Sequence, residues 1–306
     1  MQIDHTWKNQ CIAIVNQGQR GVFFRQFVKY ASGQPILANH KSILMEIQFA
    51  WGYGLADIPF DNKLSLREAL TKAAVGDTIT FSADVFTAEN HTIVLNESLG
   101  NWIINKDLII DGKVLQADGS TVNMILRVPV TYAESLENGQ TATASRLFHI
   151  SAYSVVTIND MELYGGKVSG EGGTIYVNNG QLNLNNVIAG ESYASKNGGV
   201  IYVFDPNQTW SKDTRLEMEH CQIINGTAAN YGGGVYITVE STNAYWYAAF
   251  TDVLFSGNKA ANGGALGASA QGVGGTSRGC YLYVDSLVWS FLLFPSCFEY
   301  LCFVLN

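Results

Sequence analysis

The chain has 306 residues, with 31 Gly against 5 Pro, 12% aromatic residues and only 14% charged residues. This composition is typical of a β-rich protein with many tight turns. Its length accommodates two average domains or one long solenoid. The formal net charge of −8 argues against nucleic acid and anionic membrane surfaces as partners, because both attract basic patches.

Residues 1–60 carry no repeat, and the sequence leaves this N-terminal segment without an assigned structure. The stretch that starts at Met1 holds an acid, no basic run and no long apolar core, which does not match a signal peptide. The segment therefore stands apart from the region that follows, which we delimit as residues 61–270.

A helix is the first element that the sequence predicts with a defined start. Ser65 and Glu68 have the spacing of a capping box, and four apolar residues after Ser65 recur at helical spacing. They are Leu66, Ala69, Leu70 and Ala73. The pattern predicts an amphipathic helix over residues 65–74 that ends before Gly76. We expect this helix to cap the N-terminal end of the domain, because the terminal units of solenoids are atypical and exposed strand edges need cover.

Short apolar segments bounded by polar residues follow the helix and predict six strands. They span residues 78–81, 91–95, 102–104, 108–110, 124–128 and 147–150. Residues 131–145 are polar and lack a pattern, which predicts a loop that leaves the regular structure.

One short pattern then returns four times between Val156 and Leu266. Its clearest marks are the pairs Gly172-Gly173, Gly198-Gly199, Gly233-Gly234 and Gly263-Gly264. The first glycines of these pairs lie 26, 35 and 30 residues apart. A period of this length is typical of a solenoid, a propeller or another repeat array.

The content of each copy separates these architectures. Residues 182–185 and 216–219 alternate apolar and polar, which predicts strands with one buried face. Two polar residues then form a corner, a second apolar strand follows, and the Gly-Gly pair introduces a third strand. The copies hold no helical pattern of ten residues, and they are shorter than propeller blades of about 40–45 residues. We therefore predict an all-β parallel β-helix in which each copy forms one coil of three strands. Its inward residues would include Leu182, Leu184, Leu216, Met218 and Phe250, stacked in register.

The Gly-Gly pairs have a structural and a functional interpretation. Glycine tolerates positive φ at a tight corner, where a Cβ would be costly. A phosphate-binding loop needs glycines between a strand and the start of a helix, whereas here the glycines lead into strands. The sequence therefore predicts structural corners and no nucleotide site.

Motifs in this region resemble those of a known family. Residues 255–258 (Phe-Ser-Gly-Asn) and 263–266 (Gly-Gly-Ala-Leu) resemble the FxxN and GGA[ILVY] motifs of polymorphic outer membrane proteins and related bacterial adhesins. Residues 64–70 resemble the SLREA segment that opens many bacterial right-handed β-helix surface proteins. The resemblance covers about residues 64–266. It implies a right-handed parallel β-helix, a pectate-lyase-like solenoid, located at the cell surface, in the outer membrane or in the secreted fraction.

Residues 271–306 combine a Gly-rich stretch with an apolar C-terminal segment. Residues 286–298 carry no charge, but a membrane-spanning helix needs about 20 apolar residues. The segment also lacks the alternation of a further coil. The sequence leaves membrane association open, and a truncated or frame-shifted end explains the segment as well as a real element does.

Parallel β-helices also include enzymes that cleave polysaccharides, so we asked whether any pair of carboxylates could be catalytic. Glu217 and Glu219 point outward from one strand, and Asp252 occupies a corner of the next copy. Glycosidases use two carboxylates about 5–9.5 Å apart, and Trp210 and Trp246 would be the stacking partners for sugar rings. Any solvated sheet also needs polar residues at outward positions. We favour that interpretation and expect the three carboxylates to scatter over different faces.

The residues that usually hold metals or cofactors form no motif. The cysteines (Cys11, Cys221, Cys280, Cys297 and Cys302) show no zinc spacing, and the five histidines lie far apart. Cys221 occupies a position that is Met or Val in the other copies, which favours a core residue. We therefore predict no metal and no cofactor.

Two hypotheses of function follow from these observations. The first is a non-enzymatic, adhesin-like surface or secreted protein whose β-helix presents corner loops to a host-surface protein or glycan. The alternative is a polysaccharide lyase or glycoside hydrolase that acts in a groove along the β-helix through Glu217, Glu219 and Asp252. Convergence of two of these carboxylates and one aromatic residue in a single cleft would favour the alternative.

Overall fold

The computed structural model describes residues 13–17, 42–45, 55–56, 65–129, 145–206, 214–240, 246–271, 280–288 and 301–305. These residues form an α-helix, a 3-10 helix and a series of strands. The helices are α1 (Leu66–Lys72) and the 3-10 helix Glu97–Leu99. The strands are β1 (Ala13–Gln17), β2 (Ser42–Met45), β3 (Leu55–Ala56), β4 (Asp77–Phe81), β5 (Thr92–Val94), β6 (Trp102–Ile104), β7 (Leu108–Asp111), β8 (Lys113–Leu115), β9 (Thr121–Arg127), β10 (Phe148–Ile150), β11 (Val155–Tyr164), β12 (Lys167–Val168), β13 (Ile175–Asn178), β14 (Gln181–Gly190), β15 (Tyr193–Ala194), β16 (Ile201–Asp205), β17 (Thr214–Glu219), β18 (Gln222–Ile224), β19 (Thr227–Ala228), β20 (Val235–Glu240), β21 (Trp246–Ser256), β22 (Leu266–Gln271), β23 (Cys280–Val288) and β24 (Leu301–Leu305).

Within the described residues, most of these strands pair in parallel. A first sheet contains β4, β7, β11, β14, β17, β21, β23 and β24 in that order. A second sheet has the order β6, β10, β13, β16, β20 and β22, and a small third sheet consists of β12, β15 and β19. Antiparallel pairs join β1 to β2 and to β4, and β8 to β9. The predicted all-β fold of parallel strands is therefore confirmed.

The repeats visible in the sequence correspond to the pairing of neighbouring strands. Val156 pairs with Leu182, which pairs in turn with Leu216 and then with Ala248. Between these strands the chain visits the third sheet and then the second sheet before it returns to the first. We call the segment from one strand of the first sheet to the next a coil.

Inward residues of successive coils stack into one apolar core. Leu184 pairs with Met218, and Met218 pairs with Phe250. The five residues predicted to point inward are all buried, with at most 2% of their surface exposed. That prediction is confirmed. Full burial of one such side chain contributes roughly 1.5–3 kcal/mol, so the stacked core is a major source of stability.

The predicted helix is confirmed with slightly narrower bounds. Ser65 caps α1, and its capping box with Glu68 is complete. The side chain of Lys106 binds the carbonyl oxygens of Thr71 and Ala73, at 2.9 and 2.7 Å, and so satisfies the C-terminal end of the helix. Helix α1 contacts β6, the first strand of the second sheet. It therefore covers this end of the sheet, as the sequence suggested.

One feature of the repeat alignment was wrong. Ile201 pairs with Val235, so the third glycine pair equivalent to Gly198-Gly199 is Gly232-Gly233 rather than Gly233-Gly234. Gly232 has a φ of +60°, close to the +63° of Gly198. Three consecutive glycines at this corner leave the alignment ambiguous by one residue, and only the strand register resolves it.

The Phe-Ser-Gly-Asn motif of the fourth copy, at residues 255–258, has a structural role. The Asn258 amide donates to the Ile223 carbonyl oxygen at 2.7 Å, and its Oδ1 accepts from the Gly226 backbone N–H at 2.8 Å. Phe255 packs edge-to-face on Phe250, with ring centroids 5.8 Å apart. The motif therefore ties one coil to the next and fills the core between them.

Several predictions fall outside the described residues. They are most of the loop predicted at residues 131–145, most of the uncharged segment at residues 286–298, and most of residues 1–60. Among the residues that the structure does describe, no helix has the length and apolar character needed to cross a membrane.

Close contact between coils generates a test at the glycine corners. A Cβ at Gly199 would overlap the carbonyl oxygen of Gly233 in the next coil and lie 2.6 Å from the Thr227 backbone nitrogen. We expect Gly199→Ala to lower the free energy of unfolding by roughly 1–3 kcal/mol or more, because backbone atoms cannot move aside without separating the strands. Urea denaturation measures this difference.

Gly170→Ala is the matched control. A Cβ at Gly170 has no atom within 4 Å, so the control should change the free energy of unfolding by no more than roughly 0.5 kcal/mol. Equal effects of the two substitutions would contradict the close stacking of coils.

Candidate functional site

Four residues form a column at the bend that divides each long strand of the first sheet. Asp160, Asn186, His220 and Asp252 have φ values of 50°, 53°, 52° and 51°. This left-handed conformation is uncommon outside glycine, and Asp, Asn and His are enriched in it. The corner that the sequence predicted at paired polar residues is therefore confirmed. We call these residues the corner column.

Hydrogen bonds connect neighbouring rungs at the first two copies. The Asn186 amide donates to Asp160 Oδ1 at 2.6 Å, and the Asn185 amide donates to Asn159 Oδ1 at 2.8 Å. Each amide thereby satisfies an acceptor of the preceding coil. Polar residues at these positions stabilise the stack as well as facing solvent.

The corner column brings together two of the three predicted carboxylates. His220 Nδ1 lies 3.6 Å from Glu219 Oε1, and His220 Nε2 lies 3.9 Å from Asp252 Oδ2. The expectation that the carboxylates would scatter was wrong for this pair, because the register places Asp252 one coil above His220. The sequence analysis gave His220 no functional role. The available signal was that His220 and Asp252 occupy equivalent positions in successive copies.

The third carboxylate has a different neighbour. Glu217 Oε1 lies 3.6 Å from Arg215 Nη1, and the Arg215 guanidinium carbon lies 5.2 Å from the Tyr247 ring centroid. The side chains of Trp210 and Trp246 lie outside the described part of the structure, so their role as stacking partners stays a prediction.

Exposure limits the chemistry of the corner. The side chains of Glu219, His220 and Asp252 are 57%, 59% and 61% exposed. Water therefore screens their mutual attraction, and the described residues provide no cover that would exclude it. Among all the residues that the structure describes, no group of three or more His, Cys, Asp and Glu side chains is arranged to hold a metal ion. Such a corner is suited to hydrogen bonds and ion pairs with a partner.

A second column lies on the outer face of the second sheet, and sequence reasoning missed it. Tyr176, Tyr202 and Tyr236 occupy the same register position in successive coils, and His149 precedes them. The ring centroids of successive residues lie 5.0, 5.5 and 5.9 Å apart, with interplanar angles of 32°, 28° and 9°. The signal was a tyrosine at the same place after three Gly-Gly pairs. We call these four residues the aromatic column.

Charged and aromatic side chains flank the aromatic column. The Arg146 guanidinium carbon lies 4.9 Å from the Tyr176 ring centroid, which is a cation–π geometry. Tyr231 stacks on Tyr236 at 5.6 Å and remains 40% exposed. Burial raises the pKa of Tyr202, and the negative charge of Glu171 raises it further. The pKa values of Tyr176 and Tyr236 are raised as well, so these tyrosine hydroxyls stay protonated at neutral pH.

Cys221 is a core residue. Cys221 is 1% exposed, and burial raises the pKa of its thiol to about 11. A thiol in this state is a poor nucleophile, because reaction requires the thiolate. The sequence interpretation of Cys221 as a small core hydrophobe is confirmed.

We compared the chain with known protein families, curated proteins and solved structures. No protein-family model, no curated protein and no solved structure matches the chain. The corner column and the aromatic column are therefore the observations from which function is inferred.

His149 provides a test of the packing around the aromatic column. Burial lowers the pKa of His149, and the neighbouring positive charge of Arg146 lowers it further. The unfolded chain therefore takes up a proton at this histidine at higher pH than the folded protein, at about pH 6.5. The stability that this residue supports is present above that pH and is lost as the pH falls.

We expect His149→Phe to remove this pH dependence while keeping a ring in the column. The thermal midpoint of the wild type should fall more steeply between about pH 7.5 and 5.5 than the midpoint of the variant. All other residues are the same in both proteins, so their contributions cancel in the difference. Parallel curves would show that His149 is not held in a desolvated, positively charged setting.

Proposed function

We propose that the three parallel sheets wind as a right-handed β-helix and that the protein is a non-enzymatic, adhesin-like binding protein. In this proposal it acts at the cell surface, in the outer membrane or after secretion. Its corners present side chains to a host-surface protein or glycan. The motifs at residues 64–70, 255–258 and 263–266 support the family resemblance.

The path of the chain supports the β-helix. The coils that begin at β11, β14 and β17 contribute strands to the first, third and second sheets in the same order. A connection between two parallel strands of one sheet is right-handed in nearly all proteins, because a right-handed twist favours that crossover. Repetition of this connection in one direction produces a right-handed solenoid around the shared core.

The corner column is the observation that carries the binding proposal. Its four residues differ in chemistry but share one backbone conformation, with φ values between 50° and 53°. Asn186, His220 and Asp252 are exposed. Because strand pairing fixes the backbone on both sides, the corner keeps one conformation whether Asp, Asn or His occupies it. A column of this kind is a rigid display surface, which lowers the entropy cost of binding.

Removal of the exposed corner side chains tests the proposal. Asn186→Gly, His220→Gly and Asp252→Gly delete these side chains together, while glycine retains the positive φ without strain. The purified full chain is tested on immobilised extracellular-matrix proteins and host-type glycans. We expect the triple variant to lose at least about tenfold in affinity for the ligand that the wild type binds.

Thr157→Ala with Asn183→Ala is the matched control, because these paired residues lie on the outer face of the first sheet, three residues before the corner. This control should retain wild-type affinity. Equal affinity of the wild type and the triple variant would contradict a corner interface. Detection of the intact protein only in the cytosol of its native host would contradict surface location.

The position of His220 between Glu219 and Asp252 favours one alternative, a polysaccharide lyase or glycoside hydrolase. Two carboxylates near one imidazole include the groups that acid–base cleavage requires. Their exposure to water speaks against this chemistry. Release of reducing ends from a glycan that is lost in Glu219→Gln would establish the enzyme and overturn the non-enzymatic proposal.

A further inference from the structure

On the outer face of the second sheet, a tyrosine recurs at the same register position in three successive strands. Tyr176, Tyr202 and Tyr236 alternate along their strands with buried residues such as Ile175 and Val177, so they project from the outer face. The tyrosine rings follow the spacing of parallel strands, about 4.8 Å, with successive centroids 5.5 and 5.9 Å apart. A surface that repeats in this way is complementary to a ligand that also repeats.

Ring orientation determines which groups meet such a ligand. The near-parallel rings cover one another's faces, and Tyr202 in the middle is only 7% exposed. The parts of this face that a ligand can reach are therefore the partly exposed side chains of His149, Tyr176 and Tyr236 and the exposed ring of Tyr231. Tyr236 donates to Ser269 Oγ at 2.9 Å, and Ser269 Oγ lies 2.8 Å from Thr238 Oγ1. Hydroxyl groups thus continue the surface beyond the last ring, while the exposed ring of Tyr231 flanks it.

The charges around this face exclude a strongly ionic ligand. Glu171, which lies close to Tyr176 and Tyr202, pairs with Lys196 at 3.4 Å. Arg146 packs its guanidinium group against Tyr176. The chain as a whole carries a net charge of −8, which repels polyanions. A neutral ligand with many hydroxyl groups fits the surface best.

We propose that the aromatic column and Tyr231 bind a linear, neutral polysaccharide whose chain runs across successive strands, with one sugar unit for each coil. An extended glycan repeats its hydroxyl groups at about the spacing of parallel strands, whereas an extended peptide repeats side chains on one face at about 6.6–6.8 Å. Sugar hydroxyls form hydrogen bonds with the phenol oxygens of Tyr176 and Tyr236, and a sugar face packs on the exposed Tyr231 ring. Stacking already holds the rings in place, so binding costs little side-chain entropy.

This inference deepens the proposed binding function and names a second surface for it. The test uses isothermal titration calorimetry on the full chain with oligosaccharides of two to six units. The probes are β-1,4-linked glucose, β-1,4-linked N-acetylglucosamine and β-1,4-linked mannose, with oligogalacturonate as the acidic comparison. We expect at least one neutral series to bind, with affinity that rises to about four units and then levels, because the column has four rungs. Oligogalacturonate should bind more weakly at every length.

Two substitutions locate the binding. Tyr176→Phe removes one hydroxyl and keeps the stack, and Tyr231→Ala removes the exposed ring. Together they should weaken binding by about tenfold. Tyr247→Phe, on the first sheet, is the control and should change nothing. Thermal midpoints of all variants within a few degrees of the wild type show that the fold is intact.

The outcomes separate this proposal from the corner interface. Glycan binding that persists in the corner triple variant and is lost in the tyrosine variant supports it. Failure of every neutral series to bind at millimolar concentration overturns it, and so does binding that the two tyrosine substitutions leave unchanged. If no glycan binds and the tyrosine substitutions instead abolish binding of a matrix protein, the face is a protein interface and the polysaccharide proposal is wrong. If the corner triple variant binds every ligand as tightly as the wild type, only the proposed corner interface is overturned.

Discussion

Backbone pairing between one coil and the next is the interaction on which the rest of this structure depends. The N–H and C=O groups of each strand are satisfied mainly by the strands on either side, and this pairing fixes the register of every side chain. Once the register is set, each position along a coil becomes a column along the sheet. Inward columns form the core, and outward columns form surfaces of repeated chemistry.

The glycine corners follow from the same constraint. Gly173 and Gly199 lie so close to carbonyl oxygens of the next coil that no side chain fits between them. Elsewhere the corners accept side chains, and Asp160, Asn186 and His220 adopt the left-handed conformation themselves. Close approach therefore decides where glycine is required, while positive φ alone does not. This difference separates corners that hold the coils together from corners that are free to display side chains.

Much of the fold could be predicted from the sequence, because inward positions repeat at a readable spacing. Leu182, Leu216 and their equivalents alternate with polar residues, and the capping box at Ser65 marks the helix. The alignment at Gly232 was wrong by one residue, since three glycines look alike until strand pairing distinguishes them.

The candidate sites were harder to predict, because they depend on contacts between coils. His220 and Asp252 are 32 residues apart in the chain, and only the register places them side by side. Tyr176, Tyr202 and Tyr236 each sit in an ordinary alternating strand, so no single copy signals a site. Their significance lies in their stacking, with Tyr202 and Tyr236 rings 5.9 Å apart. Equivalent outward positions across copies are therefore more informative about function than any one motif.

Distances between spin labels on one outward column test the register most directly. Ile109, Thr157, Asn183, Glu217 and Ala249 pair in succession along the first sheet. Cysteine pairs for labelling are placed at 183 and 249, at 157 and 249, and at 109 and 249, in a chain without its natural cysteines. Dipolar electron paramagnetic resonance should give distances between the two labels that increase by about 5 Å with each added coil, which is the spacing of neighbouring parallel strands. Distances that fail to increase in this order, or that increase by much more than one strand spacing per coil, would contradict the stacking of one repeat on the next.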